Sequence, residues 1–105
     1  MYLLEFSIAP LEKGEGVGEY VARSLAIIDA SGLDYRLHAM GTLVEGELDE
    51  VLAVLKQCME AMAKDCNRIT CSAKIDFRRG ASGRLQSKVT SVEQKLGRPL
   101  KKITE

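Results

Sequence analysis

Tryptophan is absent from this 105-residue chain, histidine occurs once and proline only twice. Two Phe and three Tyr bring the aromatic share to 5%, too little for the stacking platform on which proteins hold unpaired bases. Charge of one sign is missing as well. Fifteen basic residues offset 15 acidic ones, so no broad field gathers nucleic acid or an acidic membrane surface. A local basic cluster remains at Arg78, Arg79 and Arg84.

No segment reaches the ~18 consecutive apolar residues that a membrane-spanning helix needs. Glu5 interrupts the first apolar run before a signal-peptide pattern develops. Cys58, Cys66 and Cys71 form an odd set without CxxC spacing, and His38 is the lone imidazole. Buried, reduced thiols and no metal site are therefore expected. Catalytic signatures are missing too: no Walker loop, GxGxxG, HExxH or supported Ser-His-Asp set is present. These absences describe a cytoplasmic chain that is not an enzyme, has no metal or cofactor, and engages neither nucleic acid nor membrane. A small enzyme using His38 with Glu45 is the minor alternative.

What is present is alternation. ITCSAKIDFRR, Ile69 to Arg79, places Ile69, Cys71, Ala73, Ile75 and Phe77 on one side and Thr70, Ser72, Lys74 and Asp76 on the other. Tyr2 to Ala9 repeats the pattern, with Leu4, Phe6 and Ile8 against Leu3, Glu5 and Ser7, and Pro10 closes it. A glycine-rich turn, GEGVG at 14–18, then enters a helix or cradles an anion. Val17, Val21, Leu25 and Ile28 mark that helix, which stops near Ser31-Gly32. Residues 34–46 read as two short strands turning near Met40-Gly41, pairing 39 with 42, 37 with 44 and 36 with 45. Leu37 and Val44 then share the core side, and Arg36, His38 and Glu45 the other.

A second helix follows, striped by Leu48, Val51, Leu52, Leu55, Cys58, Met59 and Met62, with Asp49 and Glu50 in its first turn. After the Ile69 strand, Leu85, Val89, Val92 and Leu96 form the apolar face of a third helix that Gly97 and Pro99 end. Residues 1–105 thus compose one α+β domain: a ferredoxin-like βαββαβ unit with a four-stranded antiparallel sheet plus a C-terminal helix. Two helices cover one sheet face and leave the other open. Leu3, Glu5, Ser7, Thr70, Ser72, Lys74 and Asp76 lie on that open side. Three roles are consistent with it: a solvated surface with weak cross-strand ion pairs, a subunit interface, or a small-molecule pocket.

Three stretches carry a family likeness: EFSIAPL (Glu5 to Leu11), AMGTLVEGELDEV (Ala39 to Val51) and SAKIDFRR (Ser72 to Arg79). With their spacing, the chain resembles the small thiamine-binding proteins of the YkoF-like group over nearly its whole length. The resemblance implies a ferredoxin-like protomer that pairs through its sheet faces into homodimers and commonly homotetramers. It also implies binding of thiamine, or its hydroxymethylpyrimidine moiety, as carrier, buffer or sensor without catalysis. Carried over motif by motif, it points to Glu5, Ser7, Met40, Thr42, Glu45, Ser72, Lys74 and Asp76. Ser7, Thr42 and Asp76 would orient the ligand by hydrogen bonds, and Met40 would supply a polarizable wall. Glu5 and Lys74 would contact ligand or pair with each other. The alternative function is a structural or regulatory self-association module without a small ligand.

Overall fold

A computed structural model describes residues 1–11 and 18–101. Its elements, in chain order, are β1 (Tyr2–Pro10), α1 (Gly18–Ala30), β2 (Asp34–His38), β3 (Gly41–Gly46), α2 (Leu48–Ala63), β4 (Ile69–Phe77) and α3 (Arg84–Leu96). The strands form one antiparallel sheet in the order β2-β3-β1-β4, the ferredoxin-like arrangement expected from the alternation. All but Gly18 of the GEGVG turn lies outside the described residues.

Alternation in β1 sorts side chains as the pattern requires: Leu4, Phe6 and Ile8 are buried while Glu5 and Ser7 are exposed. Against them pack Val44 of β3, Tyr20 and Ile28 of α1, and Val51, Val54, Cys58 and Met62 of α2. The N–H of Glu47 donates to Oε1 of Glu50 at 2.9 Å, closing the entry to α2. Gly97, with φ of 74°, ends α3 and donates its N–H to the Glu93 carbonyl at 2.9 Å.

Helix faces differ from the sequence reading. In α1 the deepest residues are Tyr20, Ser24 and Ile28, whereas Val21 is exposed. Small Ser24 lets α1 approach α2, where the Cys58 thiol reaches the Ser24 carbonyl at 3.7 Å. In α2 the buried line includes Val54, which the apolar stripe omitted, while Leu48 and Leu52 are exposed at its fringe. Arg23 braces the same helix pair through both Asp65 carboxylate oxygens, at 2.9 and 3.1 Å.

The β2–β3 register also needs correction. Leu37 pairs with Thr42, Arg36 with Leu43 and His38 with Gly41, a shift of two residues from the expected partners. The turn consists of Ala39 and Met40, and Gly41 belongs to β3. A Cβ on Gly41 would lie 2.7 Å from the Phe6 carbonyl oxygen, so a side chain there would drive β3 away from β1. A shift of two preserves the faces, and Leu37 and Val44 remain on the helix side. Leu37 is nevertheless 47% exposed, because β2 is the outer strand.

The open face is not wholly open. The N–H of Arg84, at the start of α3, donates to Oε2 of Glu45 at 3.0 Å. Its guanidinium holds Asp76, and Lys88 approaches the same carboxylate at 3.5 Å. Glu45 and Asp76 both stand opposite Leu3 in the sheet, and Leu3 is buried. So α3 docks over that end by its first turn. Farther along the helix, Val92 and Leu96 stay exposed, and on the outer strand β4 so do Ile75 and Phe77.

Candidate ligand-binding site

Two recesses flank the Ala39-Met40 turn. On the open face, Glu5, Ser7, Met40, Ser72 and Lys74 surround a cleft of about 360 Å³ together with Phe6 and Ala73. Strand pairing brings them together: Ser7 stands opposite Ser72, and Glu5 opposite Lys74. Five of the eight candidate residues therefore border one cleft. The second recess, about 310 Å³, lies between α1 and the end of the β2–β3 hairpin. Its walls are chiefly apolar, including Ile8, Leu25 and Ile28, with Ser7, Ser24, His38 and Thr42 as polar groups. Phe6, Ser7 and Met40 border both recesses. Met40 is 83% exposed at their junction.

The remaining candidates part company with this group. Thr42 pairs with Phe6 on the helix side and is buried, so it belongs to the apolar recess. Glu45 and Asp76 are engaged by Arg84 at the other end of the sheet. Arg84, and Lys88 more weakly, hold the Asp76 carboxyl below the usual carboxylate range. Asp76 does border a smaller recess with Leu3, Glu5, Leu43, Lys74 and Lys88.

Glu5 turns to His38 rather than Lys74. Oε2 of Glu5 lies 3.4 Å from Nε2 of His38, near enough for attraction to an imidazolium but not aligned as a hydrogen bond. Nδ1 of His38 accepts the Met40 N–H at 3.2 Å, so in the neutral ring the proton sits on Nε2, facing Glu5. Lys74 has no ion-pair partner among the described residues. A carboxylate, an unpaired ammonium and two hydroxyls thus border the open cleft.

The sequence reading missed Ser24, and it placed Arg84 in a basic cluster without its carboxylate partners. Ser24 is buried and its hydroxyl has no hydrogen-bond partner among the described residues. A serine at helical spacing between Tyr20 and Ile28, in the deepest stripe of α1, was the available signal. Arg84 is a cation in the first turn of a helix, where the dipole favours anions. That misfit pointed to carboxylates nearby.

Free thiols occupy all three cysteine positions. Burial raises the pKa of the Cys58 and Cys71 thiols. Among the described residues no group of His, Cys, Asp and Glu side chains is arranged to hold a metal ion. Nor is any helix among them long and apolar enough to cross a membrane.

The chain is thus a small ferredoxin-like α+β domain with two recesses at one end of its sheet. The family model described as thiamine-binding protein matches residues 4–93, and the chain belongs to that family. A UPF0045 protein of Mycobacterium bovis is 40% identical over 98 residues, covering 92% of this chain and 96% of the relative. The crystal structure of a hypothetical protein from Methanocaldococcus jannaschii superposes with a TM-score of 0.82 at 32% identity, over 89% of this chain and 96% of that one. A Thermotoga maritima protein provisionally assigned to thiamine biosynthesis or salvage shares the fold. Its TM-score is 0.76 at 21% identity, over 87% and 97% of the two chains.

Proposed function

We propose that this chain binds thiamine, or its hydroxymethylpyrimidine moiety, without transforming it, as a cytoplasmic carrier, buffer or sensor that works as a homo-oligomer. One observation carries the reading: two recesses of different character share Phe6, Ser7 and Met40. Thiamine likewise has two unlike halves joined by a single carbon. The flat aminopyrimidine suits the apolar recess, where Thr42 and the unsatisfied Ser24 hydroxyl supply hydrogen bonds. The thiazolium cation suits the open cleft, beside the Glu5 carboxylate. Met40 packs at the junction, its thioether against the ring faces.

Calorimetry with both ligands tests this arrangement. Thr42→Val is expected to weaken thiamine and hydroxymethylpyrimidine alike. Glu5→Gln is expected to weaken thiamine by about tenfold, or ~1.4 kcal/mol, and to leave the uncharged pyrimidine unchanged. Absence of binding to the assembled protein at millimolar ligand would overturn the proposal.

Self-association is part of the same reading, and in the alternative it is the whole function. Exposed Val92 and Leu96 of α3 supply apolar surface for a second copy, and a sheet-to-sheet partner would roof the open cleft. Sedimentation across a concentration series separates the two. A stable oligomer whose melting temperature ignores both ligands favours the association module; a ligand-dependent rise favours binding.

A further inference from the structure

At the opposite end of the sheet from the two recesses, roughly four residues or ~13 Å along β1, a further cavity of about 470 Å³ opens beside α3. Arg84, Ser87, Lys88 and Ser91 border it from one helix face, at spacings of three, four and seven residues. Arg78 and Ser82 border it from the loop that precedes the helix. Every one of these side chains can donate hydrogen bonds, and three are cations.

We infer that this cavity is an anion site that takes the phosphate group of a small phosphorylated molecule. Asp76 neutralises part of the charge through Arg84 and Lys88. Arg78 has no ion-pair or hydrogen-bond partner among the described side chains, so its charge is uncompensated there. Arg84 is only 5% exposed, yet its Nε is a buried donor without an acceptor among the described residues. A fully satisfied structural arginine would have no such vacancy. The three hydroxyls and the forked guanidinium of Arg78 match the several acceptor oxygens of a phosphate. A concave site and the near-absence of aromatics at its border favour a small molecule over nucleic acid.

The test uses the full chain and two probes, inorganic phosphate and glycerol 3-phosphate, with chloride and sulfate at matched ionic strength. Melting temperature and amide chemical shifts are the readouts. Saturable binding of phosphate or its ester above chloride is expected, with shifts centred on residues 78–91. Ester binding tighter than phosphate identifies an organic ligand, and equal binding identifies phosphate itself. Arg78→Ala, which breaks no ion pair or side-chain hydrogen bond among the described residues, is expected to weaken binding at least tenfold. Ser91→Ala is expected to weaken it less. Thiamine affinity is expected to stay unchanged in both variants. A response equal to that of chloride, or full binding by Arg78→Ala, would overturn the inference.

Discussion

The amide of Arg84 donates to Oε2 of Glu45 at 3.0 Å, so the first turn of α3 is fastened to the end of an inner strand by a buried carboxylate. Removing that acceptor strands a buried donor, at a cost of about 1–3 kcal/mol. Glu45→Ala is expected to lower the melting temperature by several degrees and to raise hydrogen exchange selectively in α3. Glu45→Gln keeps an acceptor oxygen and should lose less. Equal losses in both variants would show that the contact does not anchor the helix.

Acid should loosen the same attachment. The Asp76 carboxyl titrates below its ordinary value because Arg84 and Lys88 favour its charged form. A lowered pKa in the folded chain means a stabilising contribution complete above the unfolded value of about 3.9. That contribution is lost as pH falls through the lower, folded value. Wild type and Asp76→Asn should therefore differ most at neutral pH and converge below about pH 4 in a melting-temperature series. A difference that stays constant down to pH 2 would contradict the ion pair.

Gly41 tests the close approach of β3 to β1. Its substitution by alanine sets a Cβ against the Phe6 carbonyl oxygen, 2.7 Å away before relaxation. Gly41→Ala is expected to destabilise the fold by about 1–3 kcal/mol, the range for overpacking. Because Phe6 and Gly41 border the helix-side recess, ligand binding should weaken with it. An unaltered denaturation midpoint would show that the strand end yields without cost.

Ser24 should behave in the opposite way. Its buried hydroxyl lacks a partner among the described residues, so alanine removes an unsatisfied polar group while keeping most of the packing. Without ligand, Ser24→Ala is expected to be neutral or more stable by up to about 1 kcal/mol. With the pyrimidine present it should bind more weakly than wild type. A clear loss of stability in the ligand-free protein would mean that the hydroxyl has a structural acceptor.

Much of this architecture could be read from the chain because strand parity is a local signal. Alternation in β1 and β4 assigned the two sides of the sheet, but not burial: Ala73, Ile75 and Phe77, expected beneath the helices, are exposed because β4 is an outer strand. The hairpin register was less legible, since Ala39-Met40 lacks the Asn-Gly or Asp-Gly chemistry that fixes a two-residue turn. Parity survived the two-residue shift, which is why Arg36 and His38 still fall on the open face. The position of α3 was not legible at all. An amphipathic helix shows which side is apolar but not which layer receives it, and here contacts to Glu45, 39 residues earlier, and to Asp76 on the preceding strand decide. Those contacts withdrew two expected ligand groups to the other end of the sheet.

Among the described residues strand β4 pairs with β1 alone, so one of its long margins leaves amide and carbonyl groups without a strand partner. Such a border is a template: a foreign extended segment can join it as a fifth strand, register set by hydrogen bonds rather than by side-chain fit. Fusions, tags or crowded refolding mixtures that bring unfolded chain near residues 69–77 therefore meet the molecule at its stickiest rim. Expression designs should keep linkers polar and proline-bearing on that flank.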